Sequence, residues 1–196
     1  MIGIPTNEDD ISLCYNNRPI LSIIKDYGVR WNQITCSIEI NNIHCCKMVR
    51  VDGGTFMMGS NDPTAFIYDY NMELVHKVTL STFYIGAIVV TQALWTAVMG
   101  SNPSHYKGDN LPVSCVSWCD CQNFITKLNK LTGKNFRLPT EAEWEFAARG
   151  GNKSQGCKFS GSDDIDSVAW YYDNSDDKIH SVATKKPNEL GLYDMR

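Results

Sequence analysis

Residues 135–151 constrain the fold more than any other stretch, because they read as a helix with both ends marked. Thr140 is expected to cap the N-terminus, and Glu143 at the third helical position completes a capping box that satisfies two backbone N–H groups. Arg149 lies at the other end, where the helix dipole favours a positive charge, and a pair of glycines follows it. The stretch therefore predicts an amphipathic helix at about 140–149 that packs on a core.

Two earlier segments carry the same helical signals. Thr91 precedes apolar residues at helical spacing, which predicts a helix at about 91–99. A longer helix is predicted at about 117–131, with Leu131 at the end of its apolar face. Trp118, at the start of that helix, is expected to contribute to the core.

Alternating apolar and polar residues predict short strands elsewhere. Residues 48–51 and 55–60 are expected to form a hairpin, joined by a turn whose glycine pair at 53–54 tolerates positive φ. Residues 75–85 are expected to form one strand, and residues 28–43 a strand or a hairpin. We predict a single α+β domain in which short, mostly antiparallel strands surround two or three helices, with much irregular structure.

Charge and hydropathy bound the classes of partner. The chain has 18 basic and 22 acidic residues, a net charge of −4 and no basic stripe, so no nucleic-acid partner is expected. No apolar run approaches the ~20 residues that a transmembrane helix needs. Residues 1–10 are acidic and lack the basic and apolar regions of a secretory signal, so a cytoplasmic location is expected by default.

The eight cysteines leave two interpretations open. An even number is typical of a disulfide framework, whereas in a reducing compartment they would be small buried thiols. No Cys-x-x-Cys is present, and the four histidines do not lie at zinc-finger spacing from the cysteines. The cysteines are Cys14, Cys36, Cys45, Cys46, Cys115, Cys119, Cys121 and Cys157.

The segment at 152–175 is rich in glycine, serine and aspartate. Its aspartates are of the type that binds calcium, but they do not follow EF-hand spacing, and a solvated loop is the simpler interpretation. Residues 168–172, VAWYY, are expected to anchor this loop locally.

Four motifs together give the chain a family resemblance. Residues 55–60 read TFMMGS, residues 112–124 read PVSCVSWCDCQNF, residues 137–151 read RLPTEAEWEFAARGG and residues 187–195 read PNELGLYDM. These strings and their order resemble the formylglycine-generating enzyme family, whose members are also called sulfatase-modifying factors. The resemblance runs from 48 to 195, so we expect an N-terminal extension at 1–46 and a formylglycine-generating-enzyme-like domain at 47–196.

The resemblance implies a fold similar to that of C-type lectins, and it implies a chemistry. Family oxidases use oxygen to convert a sulfatase cysteine to formylglycine, with copper bound by two cysteines near the C-terminus; thiolates suit Cu(I). None of the cysteines here stands in the matching motif, so no catalytic or cofactor-binding residue and no copper ligand is predicted. The family also binds calcium, and Asp194 matches one of the oxygen ligands, which makes Asp194 the predicted metal ligand.

Three functional interpretations follow. The first is a family protein that resembles the oxidases but is inactive as it stands, because its domain is expected to lack the C-terminal third. The second is a non-catalytic module with a C-type-lectin-like fold that binds a ligand or a protein, and the third is a fragment without function. The resemblance implies a protein or peptide partner, such as a sulfatase.

Overall fold

The structure is a computed structural model that describes residues 3–5, 14–15, 18–19, 35–40, 43–60 and 75–195, with side chains described at 47–60 and 75–195. The strands are β1 (Gly3–Pro5), β2 (Cys14–Tyr15), β3 (Arg18–Pro19), β4 (Thr35–Ile40), β5 (Ile43–Val51), β6 (Gly54–Met58), β7 (His76–Leu80) and β8 (Phe83–Gly86). The helices are α1 (Gln92–Met99), α2 (Trp118–Thr132), α3 (Glu141–Ala148) and the one-turn α4 (Ile165–Val168), with a 3-10 turn at Gly151–Lys153. The α+β class predicted from the sequence is confirmed.

A four-stranded antiparallel sheet in the order β1-β8-β5-β4 separates two apolar cores. Successive side chains of a strand point to opposite faces of the sheet. Met48 and Tyr84 therefore belong to one core, while Val49, Val51 and Ile85 belong to the other. All four residues of β8 are buried, as expected of a strand that is covered on both faces.

One face of the sheet packs against α1 and α2. The rings of Trp95 and Phe124 stack with their centroids 4.9 Å apart and 3° between their planes. Leu94 and Leu128 are each 2% exposed and complete the contact between the two helices and the sheet. Burying a side chain of this size stabilises the fold by about 1.5–3 kcal/mol.

Two predictions about α2 are wrong, because Trp118 is 69% exposed and Leu131 is 58% exposed. The reason is length: α1 has eight residues and α2 has fifteen, so the ends of α2 extend past the helix that covers its middle. The predicted bounds of all three longer helices are confirmed to within a residue or two, and capping boxes are present at Ser117 and Thr140.

The predicted hairpin between 48–51 and 55–60 is also wrong. β5 pairs with β4 and β8, whereas β6 pairs with β7 in a separate two-stranded sheet. The predicted single strand at 75–85 is interrupted at 81–82, where the chain leaves β7 and enters β8. Of the predicted strand or hairpin at 28–43, β4 is a strand that pairs with β5, and residues 28–34 and 41–42 lie outside the described residues.

The glycine pair at 53–54 is required for close approach of the backbone and not for positive φ. Neither glycine has a positive φ. A Cβ on Gly53 would lie 2.5 Å from the carbonyl oxygen of Leu80 and 2.7 Å from the backbone nitrogen of Thr82. The Gly53 N–H donates to the Thr82 hydroxyl over 3.1 Å. The turn after β5 therefore lies directly against the connection between β7 and β8.

Asn188 joins α3 to the C-terminal segment from inside the second core. The side chain is 5% exposed, and its Nδ2 donates to the carbonyls of Ala147 at 2.8 Å and Ala148 at 3.4 Å. Its Oδ1 accepts from the N–H groups of Leu190 at 3.0 Å and Leu192 at 3.1 Å. Carbonyls at the end of a helix lack partners within the helix, so one side chain satisfies both the end of α3 and the turn at 188–192.

A charged network holds the start of α3. Glu143 is 8% exposed, and its carboxylate accepts from the Arg137 guanidinium through two bonds of 2.7 and 2.6 Å and from the Thr140 N–H at 2.8 Å. Burial alone would raise the pKa of Glu143, but the hydrogen bonds from Arg137 and Thr140 outweigh it and hold that pKa below its ordinary value of 4.5. The capping box predicted from the sequence is thus part of a larger, partly buried ion pair.

Gly53→Ala is expected to lower the free energy of unfolding by about 3 kcal/mol or more, because a methyl group would meet backbone atoms that no side-chain rotation can move. Thermal unfolding followed by circular dichroism measures the effect. Gly156→Ala is the control: its φ is positive, but no atom lies within 4 Å of the added Cβ. It should cost only the backbone strain of about 1–2 kcal/mol, and an equal loss in both variants would contradict the close approach at Gly53.

Glu143→Gln is expected to lower the free energy of unfolding by about 1–3 kcal/mol at neutral pH, because the charge-assisted bonds to Arg137 are lost. Since the pKa is lower in the folded protein, the contribution of Glu143 is complete above the ordinary value of 4.5 and is lost as the pH falls through the folded value. Urea unfolding over this range should show the wild type and the variant converging in acid. Glu141→Gln, in the same helical turn but exposed, is the control, and a difference that does not change with pH would contradict the role of Glu143.

Candidate functional site

A concave pocket of about 300 Å³, hereafter the Trp170 pocket, lies where the C-terminal loops meet the segments that flank α1. This volume is at the small end of the range of small-molecule sites. Its walls combine apolar, aromatic, hydroxyl and ionisable side chains, with one lysine, one histidine and one aspartate among them. The lining residues are Val89, Pro112, Val168, Ala169, Trp170, Tyr171, Ser175, Lys178, Ile179, His180, Ser181, Val182 and Asp194.

The loop after α4 is shaped by the side chain of Asn174. Its Oδ1 accepts from the N–H of Tyr171 at 2.9 Å, and its Nδ2 donates to the Asp166 carboxylate at 2.9 Å and to the Ala169 carbonyl at 3.1 Å. Short amides of this kind satisfy backbone groups that have no partner in regular structure. The three bonds close the loop and set the direction in which Trp170 leaves α4.

Trp170 is held on both faces. The ring of His180 lies parallel to it, with the centroids 3.7 Å apart and 12° between the planes, and the Lys185 ammonium lies 3.7 Å from the Trp170 centroid. Two groups this close to the centroid have to occupy opposite faces of the ring. The indole N–H donates to the Thr184 hydroxyl over 2.8 Å. Trp170 is therefore a fixed wall of the pocket, with its ring edge available and its faces occupied.

The hydrogen bond of His180 defines its tautomer. Nε2 lies 2.9 Å from the carbonyl oxygen of Ser175, and a carbonyl only accepts, so Nε2 carries the proton. Nδ1 is then the ring nitrogen that accepts a hydrogen bond when the imidazole is neutral. The pocket thus contains a stacked imidazole whose orientation is fixed by the loop at 175.

Asp194 lies at the edge of the pocket, in the segment that Asn188 holds. Its φ is +56°, and its Oδ2 accepts from the N–H of Ala183 at 2.9 Å. The preceding N–H, of Tyr193, donates to the carbonyl of Ala87 at 2.9 Å, next to the end of β8. A positive φ is strained for a residue with a side chain, and such strain persists where the surrounding structure holds it.

The predicted calcium site at Asp194 stays a prediction. In the described ranges, no three side chains of His, Cys, Asp or Glu come together as a metal site would require. Calcium takes 6–8 oxygen ligands, so an ion at Asp194 would need backbone carbonyls and water for most of them.

The four cysteines with described side chains, Cys115, Cys119, Cys121 and Cys157, are free thiols. Cys119 and Cys121 are two residues apart on α2 and so point in directions about 200° apart. Cys119 faces solvent, whereas Cys121 faces an apolar groove. This pair does not present two thiolates to one copper ion, and the copper chemistry implied by the resemblance finds no donor pair on α2.

Sequence reasoning located part of this site and missed the rest. The motif at 187–195 pointed to Asp194, and VAWYY was expected to anchor its loop. The stack of Trp170 with His180 and Lys185 was missed, because its members are 10 and 5 residues apart in a loop without a repeating pattern. An indole followed by a histidine and several lysines in a polar loop was the only signal.

Across the part of the chain that the structure describes, no helix combines the length and the hydropathy needed to span a bilayer.

The comparisons with known proteins agree with this fold. The model of the sulfatase-modifying factor enzyme 1-like domain matches residues 37–196. The chain is 35% identical to a protein named chaperone protein LppX of Paenibacillus barcinonensis, over 82% of this chain and 71% of that protein. It is 25% identical to inactive C-alpha-formylglycine-generating enzyme 2 of Bos taurus, over 90% of this chain and 74% of that protein.

Among solved structures, Treponema denticola variable protein 1 matches with a TM-score of 0.68 and 31% identity, over 84% of this chain and 73% of that one. The class is therefore that of single α+β domains that combine helices with short antiparallel strands. Within that class, the chain belongs to the formylglycine-generating enzyme, or sulfatase-modifying factor, family, as its motifs predicted.

Trp170→Ala is expected to lower the free energy of unfolding by about 2–3 kcal/mol, because both ring contacts and the bond to Thr184 are lost. Trp170→Phe keeps a ring between His180 and Lys185 and loses only the N–H. Its free energy of unfolding is therefore expected to fall by about 1 kcal/mol. Denaturant unfolding measures both. Tyr172→Ala, at a side chain that is 84% exposed, should change stability by about 0.5 kcal/mol or less, and a Trp170→Ala variant equal to it would refute the stacked wall.

Proposed function

We propose that this chain is a non-catalytic binding module of the formylglycine-generating enzyme family and that the Trp170 pocket holds a segment of a partner protein. The observation that carries the proposal is the fixed aromatic wall of this pocket. Trp170 is immobilised between His180 and Lys185, so a partner bound against it costs little additional side-chain entropy. Preorganised walls of this kind support affinity without a chemical step.

The rim of the pocket supports the same function. Ile179 lines the pocket and is 38% exposed, and Tyr172, which follows the lining residue Tyr171 in the chain, is 84% exposed. Tyrosine and aliphatic side chains around a concave, partly apolar centre are typical of protein interfaces. The Lys178 side chain and the hydroxyls of Ser175 and Ser181 add polar groups that can orient a peptide.

The donor groups of the pocket fit binding better than thiol oxidation. No thiol is among its described lining residues, and the chemistry of the family oxidases uses cysteines. One relative carries the name of a chaperone and another the name of an inactive formylglycine-generating enzyme, and both names accord with binding without oxidation. The competing function, oxidation of a sulfatase cysteine, is supported by family membership alone, and fold does not determine activity.

The two functions separate in one assay. The purified chain is incubated with a cysteine-containing sulfatase peptide, copper and oxygen, and formylglycine is detected by mass spectrometry after trapping of the aldehyde. We expect no aldehyde above the level of a sample without protein. Turnover that depends on this chain would overturn the non-catalytic assignment.

Binding is tested with the same peptide and with an unbiased displayed peptide library. Peptides selected on the wild type should lose about tenfold or more in affinity for Tyr172→Ala and Ile179→Ala, because a few exposed anchor residues carry most of the binding energy of an interface. Leu131→Ala is the matched control, since it removes an apolar side chain that is 58% exposed on α2, away from the pocket lining. Equal losses in all three variants, or no selectable peptide, would contradict a protein-binding role for the pocket.

A further inference from the structure

A second cavity lies between α1, α2 and the segment at 112–116, and it is almost entirely apolar. This apolar groove has a volume of about 280 Å³. The Cys121 thiol and the indole N–H of Trp95 are the two polar side-chain groups among the described residues that line it. The lining residues are Val89, Val90, Trp95, Pro112, Val113, Val116, Cys121, Phe124, Ile125 and Leu138.

The size of the groove suits a ligand and not a packing defect. Protein interiors contain few voids larger than a water molecule. An apolar cavity of ~150 Å³ stays dry and binds benzene, whose six carbons fill it, so a volume of about 280 Å³ suits roughly ten carbons. The groove therefore matches an aliphatic chain of medium length.

The groove and the Trp170 pocket share a wall. Val89 and Pro112 line both, so the apolar groove opens beside a pocket with polar walls. A ligand that fills both has an apolar chain and a polar end, which is the chemistry of an amphiphile.

The polar end faces a cation. Lys178 lines the Trp170 pocket, and its ammonium has no hydrogen-bond or ion-pair partner among the described residues. The nearby acidic group, Asp194, already accepts from the N–H of Ala183 through Oδ2. An anionic end group could therefore form a charge-assisted hydrogen bond with the Lys178 ammonium.

A peptide fits the groove less well. Its backbone would bring several N–H and C=O groups that need partners, and the described side chains of the groove offer only the Cys121 thiol and the Trp95 indole N–H. An aliphatic chain has no such requirement. We propose that the apolar groove binds a medium-chain aliphatic carboxylate of about ten carbons, with the carboxylate at Lys178 in the Trp170 pocket. The proposal does not rest on the protein-binding function above.

Cys121 provides the test, because it lines the groove while Cys119, two residues away on the same helix, is exposed. The wild-type chain is treated with iodoacetamide at increasing decanoate below its micelle concentration, and each cysteine is quantified by peptide mass spectrometry. At ligand concentrations about ten times the dissociation constant, alkylation of Cys121 should slow about tenfold while Cys119 is unaffected. No protection, or equal protection of both thiols, would overturn the proposal.

Chain length and charge test the two halves of the assignment. Calorimetry with hexanoate, octanoate and decanoate should show about a fourfold gain in affinity for each added methylene. Val116→Phe narrows the groove and should weaken decanoate about tenfold or more. A chain-length series without a trend would overturn the binding of an aliphatic chain.

Lys178→Ala should weaken decanoate about fivefold or more and leave decanol unchanged, because only the carboxylate uses the ammonium. Lys127→Ala, at an exposed lysine on α2 outside both cavities, is the matched control. Equal binding of decanol and decanoate to the wild type would overturn the assignment of the carboxylate to Lys178.

Discussion

The buried amide of Asn188 is the interaction on which the arrangement of the site depends. Its side chain donates to the last carbonyls of α3 and accepts from two N–H groups of the turn at 188–192. Unpaired backbone groups in a core are costly, and no apolar side chain of similar size would satisfy four of them. Through this amide the charged helix start at Glu143 and the segment that carries Asp194 belong to one rigid unit.

That unit explains why motifs far apart in the sequence meet in the fold. Helix α3, which the motif at 137–151 predicted, packs on one face of the sheet. The segment at 187–195 packs beside it through Leu190, Leu192 and Met195. The N–H of Tyr193 donates a hydrogen bond to the carbonyl of Ala87 at the end of β8. This bond brings the C-terminal segment next to the start of α1. The Trp170 pocket forms at this junction, so its position follows from the packing of the second core.

Local signals in the sequence were sufficient to predict the helices. They were not sufficient to predict which distant strands pair. Caps at Thr91, Ser117 and Thr140 act within four residues, and all three are present in the fold. The hairpin predicted at 48–60 was wrong because a distant strand, β8, pairs with β5. Local residues carry no signal for such a distant partner. The glycine pair at 53–54 is also typical of a hairpin turn. In the structure, Gly53 is required because the backbone near Leu80 leaves no room for a Cβ.

The candidate site shows the same division. Asp194 was reachable because it belongs to a motif, whereas the stack of Trp170 with His180 depends on a loop closed by Asn174. Polar loops carry no periodicity, and side chains that meet across them leave no pattern in the sequence.

One buried side chain, Gln92, holds the loop that forms part of the wall shared by the two cavities. It is 1% exposed; its Nε2 donates to the carbonyls of Tyr106 and Pro112 at 2.9 and 3.2 Å, and its Oε1 accepts from Asn102 and from the Gly108 N–H at 2.7 and 3.1 Å. All four hydrogen-bonding positions of the amide are therefore used, and the loop from 102 to 112 is fixed to α1. Pro112, at the end of that loop, is part of both the Trp170 pocket and the apolar groove. A ligand that moved this wall would have to break bonds of a fully satisfied buried amide, so the wall keeps its place and the shapes of the groove and the pocket are preformed.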